Sequence, residues 1–143
     1  MSLCGIGVRV TAGSNFVPAV EFIAGATKPL TILELAVISA NGTAFQIGFG
    51  RPAVKGVTPT VVLLQREDPD DTACLGGAAI VWATVPVSPV LFSRMHYFSN
   101  AVGAGVLWTW PNGFVLRAGT TAVVQYIVLT SQSVDINLTA EEL

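Results

Sequence analysis

From end to end the chain reads strand, turn, strand, and no segment predicts a helix longer than a turn or two, apart from a nub in the closing AEEL. Short β-branched and aromatic runs alternate with Gly, Pro and Asn turns, the pattern of a β-sandwich or barrel. Leu30 to Ser39 (LTILELAVIS) carries the strongest strand signal and ends at Asn41-Gly42, a dipeptide suited to a tight hairpin turn. Thr43 to Phe49 follows, with Phe45, Ile47 and Phe49 on one face by period-two alternation. These two segments are expected to pair as a hairpin.

Further strands are expected at Phe16 to Ala24, Thr60 to Gln65, Ala78 to Val85, Ala122 to Thr130 and Val134 to Thr139, with a weaker signal over Val90 to Phe98. Gly105 to Trp110 and Gly113 to Arg117 flank Pro111-Asn112 and form a second hairpin candidate. Pro52, Gly56 and Pro59 mark a loop, and REDPDDTACLGG, which holds most of the chain's acidity, reads as a solvated one. The expected fold is all-β: a two-sheet antiparallel sandwich, jelly-roll-like, of about eight to ten strands. With 143 residues there is room for one such domain, residues 1–143, with residues 1–12 as an extended arm.

Composition bears on what surrounds the domain. Only 11% of residues are charged and 52% are hydrophobic, where about a quarter of a soluble protein is usually charged. Mean hydropathy is +0.65. Either the chain enters a membrane or other subunits cover part of its surface. Thr72 to Ser93 and Met95 to Leu116 are both uncharged, but Gly76, Gly77, Pro86 and Pro89 break the first, and His96, Asn100, Pro111 and Asn112 the second. An isolated strand cannot satisfy its backbone in lipid, so no membrane association is expected. LTILELAVIS and AVVQYIVLT are apolar on both faces, whereas the outer face of an antiparallel sheet normally meets water. The second face is therefore expected to meet another copy, with Leu33, Leu35, Val37, Trp108, Trp110, Val124 and Tyr126 as the candidate interface.

No chemistry emerges from the motifs. His96 is the sole histidine, and no GxSxG elbow accompanies it. Glu67, Asp68, Asp70 and Asp71 suggest a calcium loop, yet Ala73 and Ala79 stand where an EF-hand counted from Asp68 needs Gly and Glu. One His and two distant Cys make no transition-metal cluster, so no cofactor and no metal are expected. Gly5 to Gly7 and Gly103 to Gly105 lack the helix and Lys of a phosphate loop. Cys4 and Cys74 read as free thiols. A net charge of −2 and a pI near 5.2 argue against a nucleic-acid partner. The start MSLCGIGVRV has neither the basic residues nor the apolar run of a signal peptide, so the chain is expected to stay in the cytoplasm where it is made until it assembles. Without such a signal, Asn41-Gly42-Thr43 and Asn137-Leu138-Thr139 are chance matches to the glycosylation pattern. The aromatics Trp82, Trp108, Trp110, Tyr97 and Tyr126 could alternatively stack sugar rings, which would make the domain a carbohydrate- or receptor-binding module of a tail or fibre.

TKPLTILELAVISANGTAFQIGFGR, residues 27–51, resembles an early hairpin of small bacteriophage virion proteins. VLWTWPNGFVLRAGTTAVVQYIVLTSQSVDINLTAEEL resembles their closing strands, with a Trp, a Pro turn, L-x-x-G and a final D-x-N strand. Proteins of that kind are jelly-roll capsid decoration, or cement, subunits. The resemblance implies a homotrimer on the outside of an icosahedral shell. There it would bridge major capsid subunits and resist the pressure of packaged DNA. It implies no catalytic residue.

Overall fold

Alternation is the local rule that the structure obeys most closely: Phe45, Ile47 and Phe49 all point inward with no exposed surface. The computed structural model describes residues 1–11, 18–128 and 132–143. Phe16 and Val17 of one expected strand, Leu129 and Thr130 of another, and Ala12 of the expected arm lie outside the described residues. Among the described residues the chain is all β, with no helix. Its strands are β1 (Ser2–Val10), β2 (Pro18–Ile23), β3 (Leu30–Ser39), β4 (Phe45–Gly50), β5 (Thr60–Leu63), β6 (Gln65–Arg66), β7 (Gly77–Val81), β8 (Arg94–Phe98), β9 (Gly105–Leu116), β10 (Thr121–Val128) and β11 (Val134–Glu142).

Two antiparallel sheets face each other, one ordered β6-β1-β11-β3-β9 and the other β5-β7-β2-β10-β4-β8. Without β5, β6 and β7, the remaining strands stand as β1-β11-β3-β9 over β2-β10-β4-β8. That interleaving of first, last and middle strands is the jelly roll, with its two Greek keys. The segment between β4 and β8 is an insertion that widens both sheets: β6 extends the β1 edge, while β7 and β5 extend the β2 edge. Between the sheets lie Phe22, Leu30, Ile32, Leu35, Leu116, Ile136 and the rings of Phe45, Phe49 and Phe98. Phe45 stacks on Phe98 with centroids 4.5 Å apart.

Several local expectations change. Leu30 to Ser39 and Thr43 to Phe49 do not form a hairpin, because β3 and β4 belong to opposite sheets. Both edges of β3 are taken, by β11 along its whole length and by β9. Asn41-Gly42 therefore carries the chain across the sandwich, and Gly42 is not among the glycines with positive φ that a tight hairpin turn would use. Pro111-Asn112 is not a hairpin turn either. β9 runs through it, and its register on β3 jumps from Glu34↔Thr109 to Ile32↔Phe114. The extra residues form a bulge, for which Pro111 has no N–H to donate and Gly113 adopts φ 72°. Residues 2–10 of the expected arm are β1, paired throughout with β11. The closing Ala140, Glu141 and Glu142 extend β11 instead of turning into a helix.

Candidate interaction surface

All but one of the residues expected at a subunit interface lie in the interior of the domain. Leu35, Val37, Val124 and Tyr126 have no exposed surface, and Trp108 and Trp110 are buried. Phe49 holds the two indoles at 6.5 and 5.0 Å between centroids. The Tyr126 hydroxyl donates to the Gln132 carbonyl at 2.9 Å, and burial pushes its pKa upward. Leu33 is half-buried at the β3 bulge. Apart from Leu33, these side chains are unavailable to a second copy: they are the core that holds the two sheets together.

The apolar reading of β10 nonetheless had a cause. Val123 and Gln125 point away from the core and are also fully buried, as is Glu21 beside them on β2. What covers them is the chain itself. Residues 51–59 and 82–93 lie over the outer face of the six-stranded sheet and bridge each other at Val54↔Val87 and Val57↔Thr84. Glu21 ties both segments down: Oε1 accepts the Gly56 N–H at 3.1 Å and Oε2 accepts the Trp82 indole N–H at 2.7 Å. Gln125 donates to the Ser88 hydroxyl. A carboxylate buried without partners would be costly; two donors satisfy this one. Among the described residues β3 has no such cover. Its outer face carries Thr31, Glu34, Ala36 and Ile38, of which Glu34 and Ile38 are exposed.

The covering ladder and its flank carry many aliphatic side chains on their solvent side, beside the exposed Arg51 and Lys55. Val54, Val57, Val85 and Val87 are each at least half exposed, and Val90 and Leu91 protrude at 86% and 84%. Next to the ladder, every residue of β5 is exposed, with Val61 and Leu63 on one face and Val62 on the other. β5 is also an edge strand, so one line of its backbone N–H and C=O groups has no neighbour in the sheet. Natural edges are usually blunted by charge, but no charged residue occurs from Gly56 to Leu64. Exposed aliphatic surface on this scale marks an interaction site more often than bare solvent contact.

The other sequence candidates are dispersed. His96 is half-buried, its ring edge-on to Phe98 at 4.7 Å. Among the described residues no group of three or more His, Cys, Asp or Glu could hold a metal ion. The acidic segment is exposed and bonded to itself, with Asp70 N–H donating to Asp68 Oδ1 and Arg66 donating to the Asp71 carbonyl. The sugar platform does not form: Trp108, Trp110 and Tyr126 face the core and Trp82 is tied to Glu21, leaving Tyr97 exposed. No helix of the described residues is long and apolar enough to cross a membrane.

Cys4 and Cys74 are not free thiols but a disulfide, with Cα atoms 6.3 Å apart. β6 brings them together by pairing Arg66 with Cys4, which lays the 66–76 segment against β1. Beside the disulfide, the fully buried Glu142 carboxylate accepts the backbone N–H groups of Leu75 and Gly76, each at 2.8 Å. Nothing in the sequence pointed to Glu142, since a penultimate acid looks like a solvated end. Its one signal is that it stands an even number of residues from Val134 and Ile136 and so shares their inward face.

No family model and no curated protein matches this chain. Among solved structures it is similar to one described as the Nora virus structure, at 12% identity and a TM-score of 0.36, over 98% of this chain and 55% of that one. The chain thus spans about half the length of that neighbour. A likeness of this size carries no functional argument.

Proposed function

We propose that this chain is a structural subunit of a virus particle, working through assembly and not through catalysis. The observation that carries the proposal is the exposed aliphatic surface of the covering ladder and β5, in a chain with only 11% charged residues. The jelly roll is compatible with such a role but hosts lectins and enzymes as well, so the surface is the argument and the fold is not. In its finer form the proposal follows the sequence resemblance: a homotrimeric decoration subunit of a bacteriophage head, made in the host cytoplasm, seated on the capsid surface and bridging major capsid subunits. A symmetric ring multiplies small apolar contacts, which suits a part whose work is to resist strain in a shell. The carbohydrate-binding alternative has lost Trp108, Trp110 and Tyr126 to the core and Trp82 to its bond with Glu21.

Light scattering on the purified chain across a dilution series tests this directly. A stable oligomer, of three chains in the finer form, is the expected result. A monomer that persists to high micromolar concentration would sink the proposal.

A further inference from the structure

Between β5 and β7 the chain leaves the six-stranded sheet, joins the β1 edge of the other sheet as β6, and returns. Residues 64–76 thus form a strap across one side of the sandwich. Cys74 lies on its return limb and Cys4 on β1, at 3% and 0% exposure, so a reagent in solution reaches neither while the strap is closed. The bonds that hold the strap do not depend on the link between the two cysteines. Leu64 N–H donates to the Gly76 carbonyl at 2.9 Å and ties the two limbs together, while Glu67 N–H donates to the Leu3 carbonyl at 2.8 Å. Ser2 Oγ donates to the Thr72 carbonyl at 2.9 Å. Immediately after Cys74, the N–H groups of Leu75 and Gly76 donate to the buried Glu142 carboxylate, whose residue pairs with Ser2 of β1. Neighbours on both sides therefore set Cys74 against Cys4.

We infer that the fold brings Cys4 and Cys74 together as thiols, and that oxidation joins them only after the chain has left a reducing cytoplasm, locking the strap. This rests on the cytoplasmic origin proposed above. The cytoplasm keeps thiols reduced, and a domain of 143 residues has core enough to fold without the link. The step is an exchange with a low-molecular-weight disulfide. Cys74 loses its proton, and its thiolate attacks one sulfur of that disulfide, breaking the S–S bond and releasing the first small thiol. The Cys4 thiolate then attacks the Cys74 sulfur, forms the protein disulfide and expels the second small thiol. Both protons end on the released thiols, and the small disulfide is reduced as the protein pair is oxidised. The order of attack follows from the fold. Cys4 is fixed within β1, which pairs with β11 along its whole length, whereas Cys74 belongs to no strand. Opening of the strap exposes Cys74 first. When the strap closes again, Glu142 acts as a positioning residue: it returns Cys74 to Cys4 and raises the effective concentration for the second attack.

The test uses the full chain made in a bacterial cytoplasm. Lysis straight into denaturant with an alkylating reagent should label both cysteines. The chain purified under reductant should keep its β circular dichroism spectrum and melt cooperatively. Oxidised glutathione should then convert it to an intrachain disulfide, about two mass units lighter, with no glutathione adduct remaining. Glu142→Gln keeps one acceptor and should still fold. At a fixed ratio of reduced to oxidised glutathione, its ratio of disulfide to dithiol should fall by about tenfold, and the adduct on Cys74 should accumulate. In Cys4→Ser and Cys74→Ser chains, each with one thiol, oxidised glutathione should modify Cys74 faster than Cys4. A disulfide already present at lysis, or a reduced chain without a cooperative melt, would overturn the order of events. A Glu142→Gln chain oxidised as completely as the wild type would overturn the positioning role, and faster modification of Cys4 the route. A chain that is monomeric in light scattering yet oxidises in this way would remove the subunit reading and leave the late-closing link standing.

Discussion

The indole N–H of Trp82 donates to a carboxylate, Glu21, that has no exposed surface and whose second oxygen accepts the N–H of Gly56. A single side chain on β2 thus holds both segments that cover the outer face of the six-stranded sheet. The approach is so close that a Cβ at Gly56 would collide with both the Trp82 ring and the Glu21 carboxylate. The surface proposed for assembly is built on this contact, because Val57 adjoins the tethered Gly56 and Val85 follows the tethered Trp82 by three residues.

Glu21→Ala should therefore lower stability and disturb that surface together. It leaves two buried donors unpaired and opens a cavity, at a cost of about 2–4 kcal/mol. At roughly 2–4 °C per kcal/mol for a chain near this size, the thermal midpoint should drop by about 5–15 °C. Trp82 fluorescence should also shift as the indole loosens. Glu21→Gln keeps an acceptor for one of the donors and should fall in between. An unchanged denaturation midpoint in Glu21→Ala would show that the tether does not hold the ladder.

The disulfide closes a loop with a sequence separation of 70. Chain-entropy reasoning assigns about 4 kcal/mol to a loop of that length. Part of the same constraint survives reduction, because Glu142 still clamps Leu75 and Gly76. Reduction, or a Cys4→Ser, Cys74→Ser double variant, should cost about 2–4 kcal/mol in a denaturant titration and expose the 66–73 segment to protease. The same substitutions combined with Glu142→Gln should lose more than the sum of the separate effects, since each restraint backs up the other. Strict additivity would mean that the two act on different parts of the segment.

What could be read in the sequence was local. Period-two alternation placed Phe45, Ile47 and Phe49 correctly, and the spacing of short strands pointed to the sandwich. What failed was non-local. Asn41-Gly42 signals a turn, but which strands flank it in one sheet is decided by β9 and β11, which arrive from the far end of the chain. The apolar second face of β10 was real, yet residues 51–59 look like a plain Pro-rich loop, and residues 82–93, read in part as strand on either side of Pro86 and Pro89, gave no sign that they fold back over it. The outer face of β10 was therefore assigned to the wrong kind of neighbour, a second copy instead of the same chain, and the residues named for it, Val124 and Tyr126, face the core. The disulfide was missed for a related reason: two cysteines far apart carry no pairing information until β6 joins β1.

The core position of Leu35 and Val124 changes what their substitution reports. Leu35→Asp or Val124→Asp buries an unpaired charge between the two sheets, at a cost of more than about 4 kcal/mol. Both should give unfolded or insoluble chains, with loss of the β circular dichroism signal, instead of folded monomers. A folded, monomeric Val124→Asp protein would contradict the core assignment and restore that strand to an interface.

Tyr126 gives the fold a dependence on alkaline pH whose sign follows from its burial. Its pKa is raised from the usual 10.0 because the phenolate would lose its hydration, while the neutral hydroxyl donates to the Gln132 carbonyl. Above about pH 10 the unfolded chain releases this proton and the folded chain keeps it, so the unfolded state binds fewer protons and stability falls as pH rises. The contribution is complete below the unfolded pKa and disappears as pH climbs towards the folded one. Tyr126→Phe removes the titration along with the hydrogen bond. At neutral pH it should be about 1 kcal/mol less stable than the wild type. Through the alkaline range the gap should close and then reverse, at up to ~1.4 kcal/mol per pH unit above about pH 10. Guanidinium titrations of both proteins from about pH 7 to 12 would measure it. Parallel pH profiles for the two would show that Tyr126 ionises in the folded state as readily as in the unfolded one, which its full burial beside Phe45 does not permit.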